Sequence, residues 1–81
     1  MNDQIKPSLT VEEANKHKDK FVRVFFRQKS GPAVFLGFKI DSVEENKLIV
    51  LFTDGERKTY IGNSGQFVTD EGYGLFLDSV A

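Results

Sequence analysis

Cysteine and tryptophan are absent from the 81 residues, and histidine occurs once, at His17. Without thiols the chain has no disulfide and no thiolate metal site. A lone imidazole with no companion cysteine or histidine supplies too few ligands for zinc, so no metal is expected. No apolar run approaches the roughly 18 residues of a membrane-spanning helix. The first 20 residues are polar and mixed in charge, without the apolar centre of a signal peptide. The expected location is therefore cytoplasmic.

Catalytic groupings are missing as well. Ser30, Ser42, Ser64 and Ser79 have no context that would join them to His17 in a triad. Glu12-Glu13, Glu44-Glu45 and Asp70-Glu71 are adjacent pairs at a helix start or in turns, where solvation and capping explain them. The glycines of GNSG, residues 62–65, lack the Lys-Ser/Thr ending and following helix of a phosphate loop. The reading is a noncatalytic protein without a cofactor.

What is present is a small aromatic-rich chain of uneven charge. It contains eight phenylalanines and two tyrosines, more rings than a core of this size readily hides. The net charge is −1, which argues against indiscriminate nucleic-acid binding. Residues 1–40 nevertheless hold eight Lys/Arg against four Asp/Glu, and residues 41–81 three against eight.

The chain divides into an expected flexible arm, residues 1–8, and a single domain, residues 9–81. Ile5 is a candidate to dock on the body. Thr10 followed by Glu13 forms a capping box, with Leu9 and Ala14 placed as a staple, and predicts a short helix over 11–18. Alternation then predicts five strands near 21–28, 33–43, 48–53, 56–61 and 73–80. Gly37 inside the second predicts a bend, a bulge or a close approach of backbone. The third, apolar on both faces, is expected to be central or covered on both sides. Asp54-Gly55 predicts a hairpin, by a two-residue type I′ loop or by a longer loop with Gly55 at positive φ. Residues 66–74 are ambiguous, and Asp70-Glu71-Gly72 suits a 3₁₀ turn or a plain loop.

Short strands joined by tight turns are best closed on themselves, because closure removes raw edges and buries one face. The expected fold is mainly β: a small five-stranded antiparallel SH3-like barrel with a short N-terminal helix. The alternative is a curled antiparallel sheet with the helix packed on one face.

Residues 34–60 carry a resemblance. Ile40 and Val43, then Leu48, Val50, Phe52, Asp54, Gly55, Lys58 and Tyr60, resemble the middle hairpins of Tudor-like SH3-like barrels. The order of a short helix and five bent strands also resembles the Sm-like group, although no Sm nucleotide-binding residue has a counterpart here. The Tudor-like resemblance implies docking of a protein or nucleic-acid partner through aromatics and loops at one end. Phe35, Tyr60, Tyr73 and Phe76 are the surface aromatics that alternation allows.

Two contact surfaces follow. The first is a protein-binding surface on the 48–61 hairpin and last strand, with Arg57, Lys58, Tyr60, Tyr73 and Phe76. An apolar anchor in a charged rim suits a protein partner, and an exposed sheet edge also permits self-association. The second is a strip of Lys20, Arg23, Phe25, Arg27 and Lys29, the cationic and aromatic layout that holds RNA or single-stranded DNA. Its bland counterpart is a half-exposed strand covered by Arg and Lys stems.

Overall fold

The computed structural model describes residues 6–81, and residues 1–5, with the expected docking of Ile5, lie outside the described residues. The element order is α1 (Val11–Lys16), β1 (Phe21–Arg27), β2 (Ala33–Glu44), β3 (Lys47–Phe52), β4 (Arg57–Asn63), β5 (Gln66–Val68) and β6 (Phe76–Val80). The six strands form one antiparallel sheet in the order β5-β4-β3-β2-β1-β6. This corrects the expected five-stranded closed barrel. There is an additional strand, β5, and among the described residues no continuous ladder joins the two ends of the sheet. Isolated bridges Ser8–Phe76, Thr10–Gln66 and Val68–Gly74 span that gap instead.

Residues 6–8, expected in a loose arm, run beside the last strand. Leu77 N donates to Pro7 O at 2.8 Å, and Lys6 reaches Asp78. The expected strand 73–80 is split. Its first part pairs with β5, through Leu75 N to Phe67 O at 2.9 Å, and its second part pairs with β1.

The N-cap half of the expected capping box forms, while the Glu13 carboxylate turns to Lys16. Thr10 Oγ1 accepts from Glu13 N at 3.1 Å, and Leu9 and Ala14 are both fully buried. The helix ends two residues early, at Lys16. His17 and Lys18 bond back only three residues, and Asp19 takes a φ of 69° while its N–H donates to Ile40 O. That contact starts the run into β1.

The core lies on one face of the sheet. Val22, Val24, Phe38, Ile40, Leu48, Val50 and Phe67 are fully buried, as are Leu9, Ala14 and Leu75, and Phe26, Tyr60 and Leu77 complete the cluster. β3 is internal in the sheet, as its apolar run requires. Two bulges adjust the alternation. β2 shifts register against β3 between Ile40 and Ser42, which leaves Asp41 unpaired and turns Val43 to the same face as its partner Leu48, against the core. β6 shifts against β1 at Asp78. Each bulged carboxylate meets an arginine: Asp41 takes Arg57 Nη1 at 2.8 Å, and Asp78 lies 3.5 Å from Arg23 Nε.

Candidate functional site

β1 has one buried edge of side chains and one outward edge. Phe21, Arg23, Phe25 and Arg27 point outward, alternating ring and cation at about 6.7 Å per step. Its neighbours add to this face at fixed register. Phe25 is the Cα partner of Phe35 on β2 and of Phe76 on β6. Three rings therefore form a row across three adjacent strands. The Phe25 centroid is 5.6 Å from that of Phe35 and 5.4 Å from that of Phe76, the latter pair stacked. These are favourable aromatic spacings. None of the three belongs to the main core cluster.

Arginines bracket the row. Arg23, on one side, places its guanidinium 4.4 Å from the Phe35 centroid, and Arg27, on the other, lies 5.7 Å from Phe25. Each contact is worth about 0.5–1 kcal/mol at an exposed site. Asp78 holds Arg23 from below and is also 3.5 Å from Lys6. Phe25 is only 8% exposed because its neighbours cover it, whereas Phe35 is 46% and Phe21 39% exposed. Phe21 lies over Gly37. A Cβ at that position would sit 3.1 Å from two atoms of its ring. Gly37 thus serves a close approach and not a bulge, because its pairing with Arg23 is regular.

The surroundings are basic. Lys39 is the cross-strand partner of Phe21, while Lys20 and Lys29 are exposed at the two ends of β1. Among the described residues, Lys20, Arg27, Lys29 and Lys39 take part in no ion pair. Of the strip Lys20, Arg23, Phe25, Arg27 and Lys29, the outward face of β1 carries Arg23, Phe25 and Arg27; Lys29 is exposed beyond the end of the strand, and Lys20 lies opposite Ile40, on the other side of the alternation. Phe35 and Phe76 join that outward face. Phe76 had been assigned by alternation to the other surface, and its place beside Phe25 follows from the β1–β6 pairing, which the sequence does not specify.

The set Arg57, Lys58, Tyr60, Tyr73 and Phe76 is not assembled in this way. Tyr60 is 3% exposed and packs against Phe38 at 5.9 Å. Tyr73 stacks on Phe26 at 5.9 Å, and Phe76 belongs to the ring row. Arg57 is engaged by Asp41, and Lys58 Nζ donates to Asp70 at 2.9 Å. That bond raises the Lys58 pKa, and burial raises that of Tyr60. Beside them an open groove of about 390 Å³ is lined by Ile61, Val68, Thr69, Asp70, Glu71 and Gly72. Ile61, 50% exposed, is the apolar side chain that the hairpin presents to solvent, and it was not among the candidates.

His17 is the C-cap of α1 and partly buried. Its Nε2 lies 3.8 Å from Glu13 Oε1, and its Nδ1 is buried without a hydrogen-bond partner among the described residues. Among the described residues no cluster of three His, Cys, Asp or Glu is placed to hold a metal ion, and no helix is long and apolar enough to cross a membrane. Comparison with protein families, with curated proteins and with solved structures finds no match to this chain.

Proposed function

We propose that the protein is a noncatalytic interaction module whose contact surface is the outward face of β2, β1 and β6. One observation carries this reading: the ring row Phe35-Phe25-Phe76, bracketed by Arg23 and Arg27, is separate from the main core cluster, with Phe35 46% exposed. Keeping Phe21 and Phe35 partly in water is unfavourable by roughly 25 cal/mol for each Å² of apolar surface left uncovered. A partner that covers them recovers that term. The adjoining lysines select a partner that carries negative charge.

The finer fold belongs to the same proposal. An SH3-like, Tudor-like architecture is supported by the three isolated bridges across the open side of the sheet and by the 34–60 pattern. A protein partner docked through the β3–β4 hairpin is the second reading. It is favoured by exposed Ile61 and its acid-rimmed groove, where a basic segment or another copy of the chain would fit.

The test is affinity capture from native extract, with both protein and nucleic acid recovered. Arg27→Glu combined with Phe35→Ser should lose the partners while keeping a cooperative urea transition, destabilised by about 1–3 kcal/mol through loss of the Phe35–Phe25, Arg23–Phe35 and Arg27–Phe25 contacts. Ile61→Ser should keep them. If the face variant recovers everything that wild type does and Ile61→Ser does not, the hairpin is the contact surface.

A further inference from the structure

We infer that the occupant of the β2–β1–β6 face is a single-stranded nucleic acid, with bases stacked on the exposed rings and phosphates held by the flanking cations. This rests on the reading that this face is the contact surface. It goes further by naming the chemistry of what binds there.

Charge sets the sign of the partner. Arg23, Arg27 and Lys39 share the face with the rings and Lys29 is exposed just past the end of β1, while the carboxylates of this face, Asp78 and Asp41, are each taken up by an arginine, Arg23 and Arg57. A second copy docked face to face would bring these cations together, since a two-fold interface pairs each patch with itself. An acidic peptide would satisfy the cations, but its carboxylates would leave the rings wet. A nucleotide supplies both halves, because every base has a π face and every linkage a negative charge.

Geometry favours an unpaired strand. Ring and cation alternate along β1 as Phe21, Arg23, Phe25 and Arg27. Across the sheet, the ring row at Phe25 is flanked by cationic positions on both sides. The Arg23 guanidinium over Phe35 extends the platform, since guanidinium planes also stack on bases. A duplex keeps its base faces inside its own stack and would meet only the cations.

The whole chain should be titrated, by fluorescence anisotropy, into labelled oligo-U and oligo-dT of roughly 12 nucleotides, within the usual footprint of such surfaces. With three to four phosphates neutralised, log affinity should fall against log salt with a slope of about −2 to −3. Between about 50 mM and about 200 mM salt that is a loss of roughly 15- to 60-fold. Phe35→Ala should weaken binding about tenfold or more with the slope unchanged. Arg27→Ala should make the slope shallower by about 0.7. Lys58→Ala, on the hairpin, should change nothing. Binding of either polymer with this pattern supports the inference, and the preferred one tells RNA from DNA.

A glutamate-rich peptide of matched charge and a duplex of the same length serve as competitors. If the peptide binds this face as tightly as the oligonucleotides do, the occupant is wrong and the contact surface stands. Equal binding of the duplex also overturns it. If the oligonucleotides fail at low salt, the inference falls, and the capture experiment above decides separately whether the face is a contact surface.

Discussion

Gly37 and Gly55 show how one residue type serves two different needs. Gly55 closes the β3–β4 hairpin at a φ of 92°, where an L side chain is strained, and a Cβ there would meet no atom within 4 Å. The cost of Gly55→Ala is therefore purely conformational, about 1 kcal/mol, and should appear as a lower urea midpoint with an unchanged m-value. Gly37 has no such backbone requirement. Its absent side chain leaves room for the Phe21 ring, and Gly37→Ala should displace that ring. Because Phe21 is partly exposed and can give way, the loss should stay below about 1 kcal/mol. The ring proton shifts of Phe21 should move while those of Phe38 do not. A loss well above that limit would mean that the ring is held rigidly in place. The sequence pointed to an unusual backbone position at Gly37 but not to its cause, because the covering ring comes from β1 and is fixed only by pairing.

Among the elements, the β3–β4 hairpin shows most clearly where legibility ends. The Asp54-Gly55 signal was sound, but it allowed two loop lengths, and they place opposite faces of β4 inward. The observed loop is residues 53–55. Phe52 N donates to Glu56 O at 2.8 Å, and Gly55 N donates to Phe52 O at 3.0 Å. This register sets Leu48 opposite Tyr60 and Val50 opposite Lys58. Since Leu48 and Val50 face the core, Tyr60 follows them inward and Ile61 faces water. A two-residue loop would have done the reverse, so the choice of Tyr60 as a contact residue hung on one residue of turn length. Deleting Thr53 should accordingly cost far more than Gly55→Ala. It should remove about 3 kcal/mol or more, because Tyr60 must leave the core or the hairpin must distort. A deletion variant that melts like wild type would show that the register can slip freely. The strand β5 was missed for a simpler reason: Gln66-Phe67-Val68 is too short for alternation to register. The helix was readable because its cap is local. Thr10→Ala should lower stability by about 1 kcal/mol through loss of the Glu13 N–H bond, measurable in the same melts.

At the scale of the molecule, the uneven charge along the chain was visible in the sequence, but its arrangement in space was not. β1 and its flanks supply the basic face because β1 pairs with β2 and β6, whereas the acidic residues Asp70 and Glu71 edge the groove beside β4 and β5. Lys58 links to that acidic edge, and it sits 5.4 Å from the Tyr60 ring centroid. Both residues contribute to the stability of the fold at alkaline pH. Burial raises the Tyr60 pKa above its ordinary 10.0, because the phenolate is poorly solvated beside Phe38. The bond to Asp70 raises the Lys58 pKa above its ordinary 10.5 by holding the ammonium form. Both groups therefore bind their proton more tightly in the folded state than in the unfolded chain. Their contribution is fully present below about pH 10 and is lost as pH rises through the folded values, because there the unfolded state releases protons first. Urea midpoints should thus be nearly flat from about pH 7 to about pH 9 and fall from about pH 10 upward. Tyr60→Phe keeps the ring in the core and removes the titrating hydroxyl, so the alkaline decline should become shallower while the neutral-pH midpoint changes little. Lys58→Met should flatten it less, since that side chain is partly exposed and its pairing is screened by solvent. If the decline is as steep in Tyr60→Phe as in wild type, the burial of Tyr60 does not contribute to it.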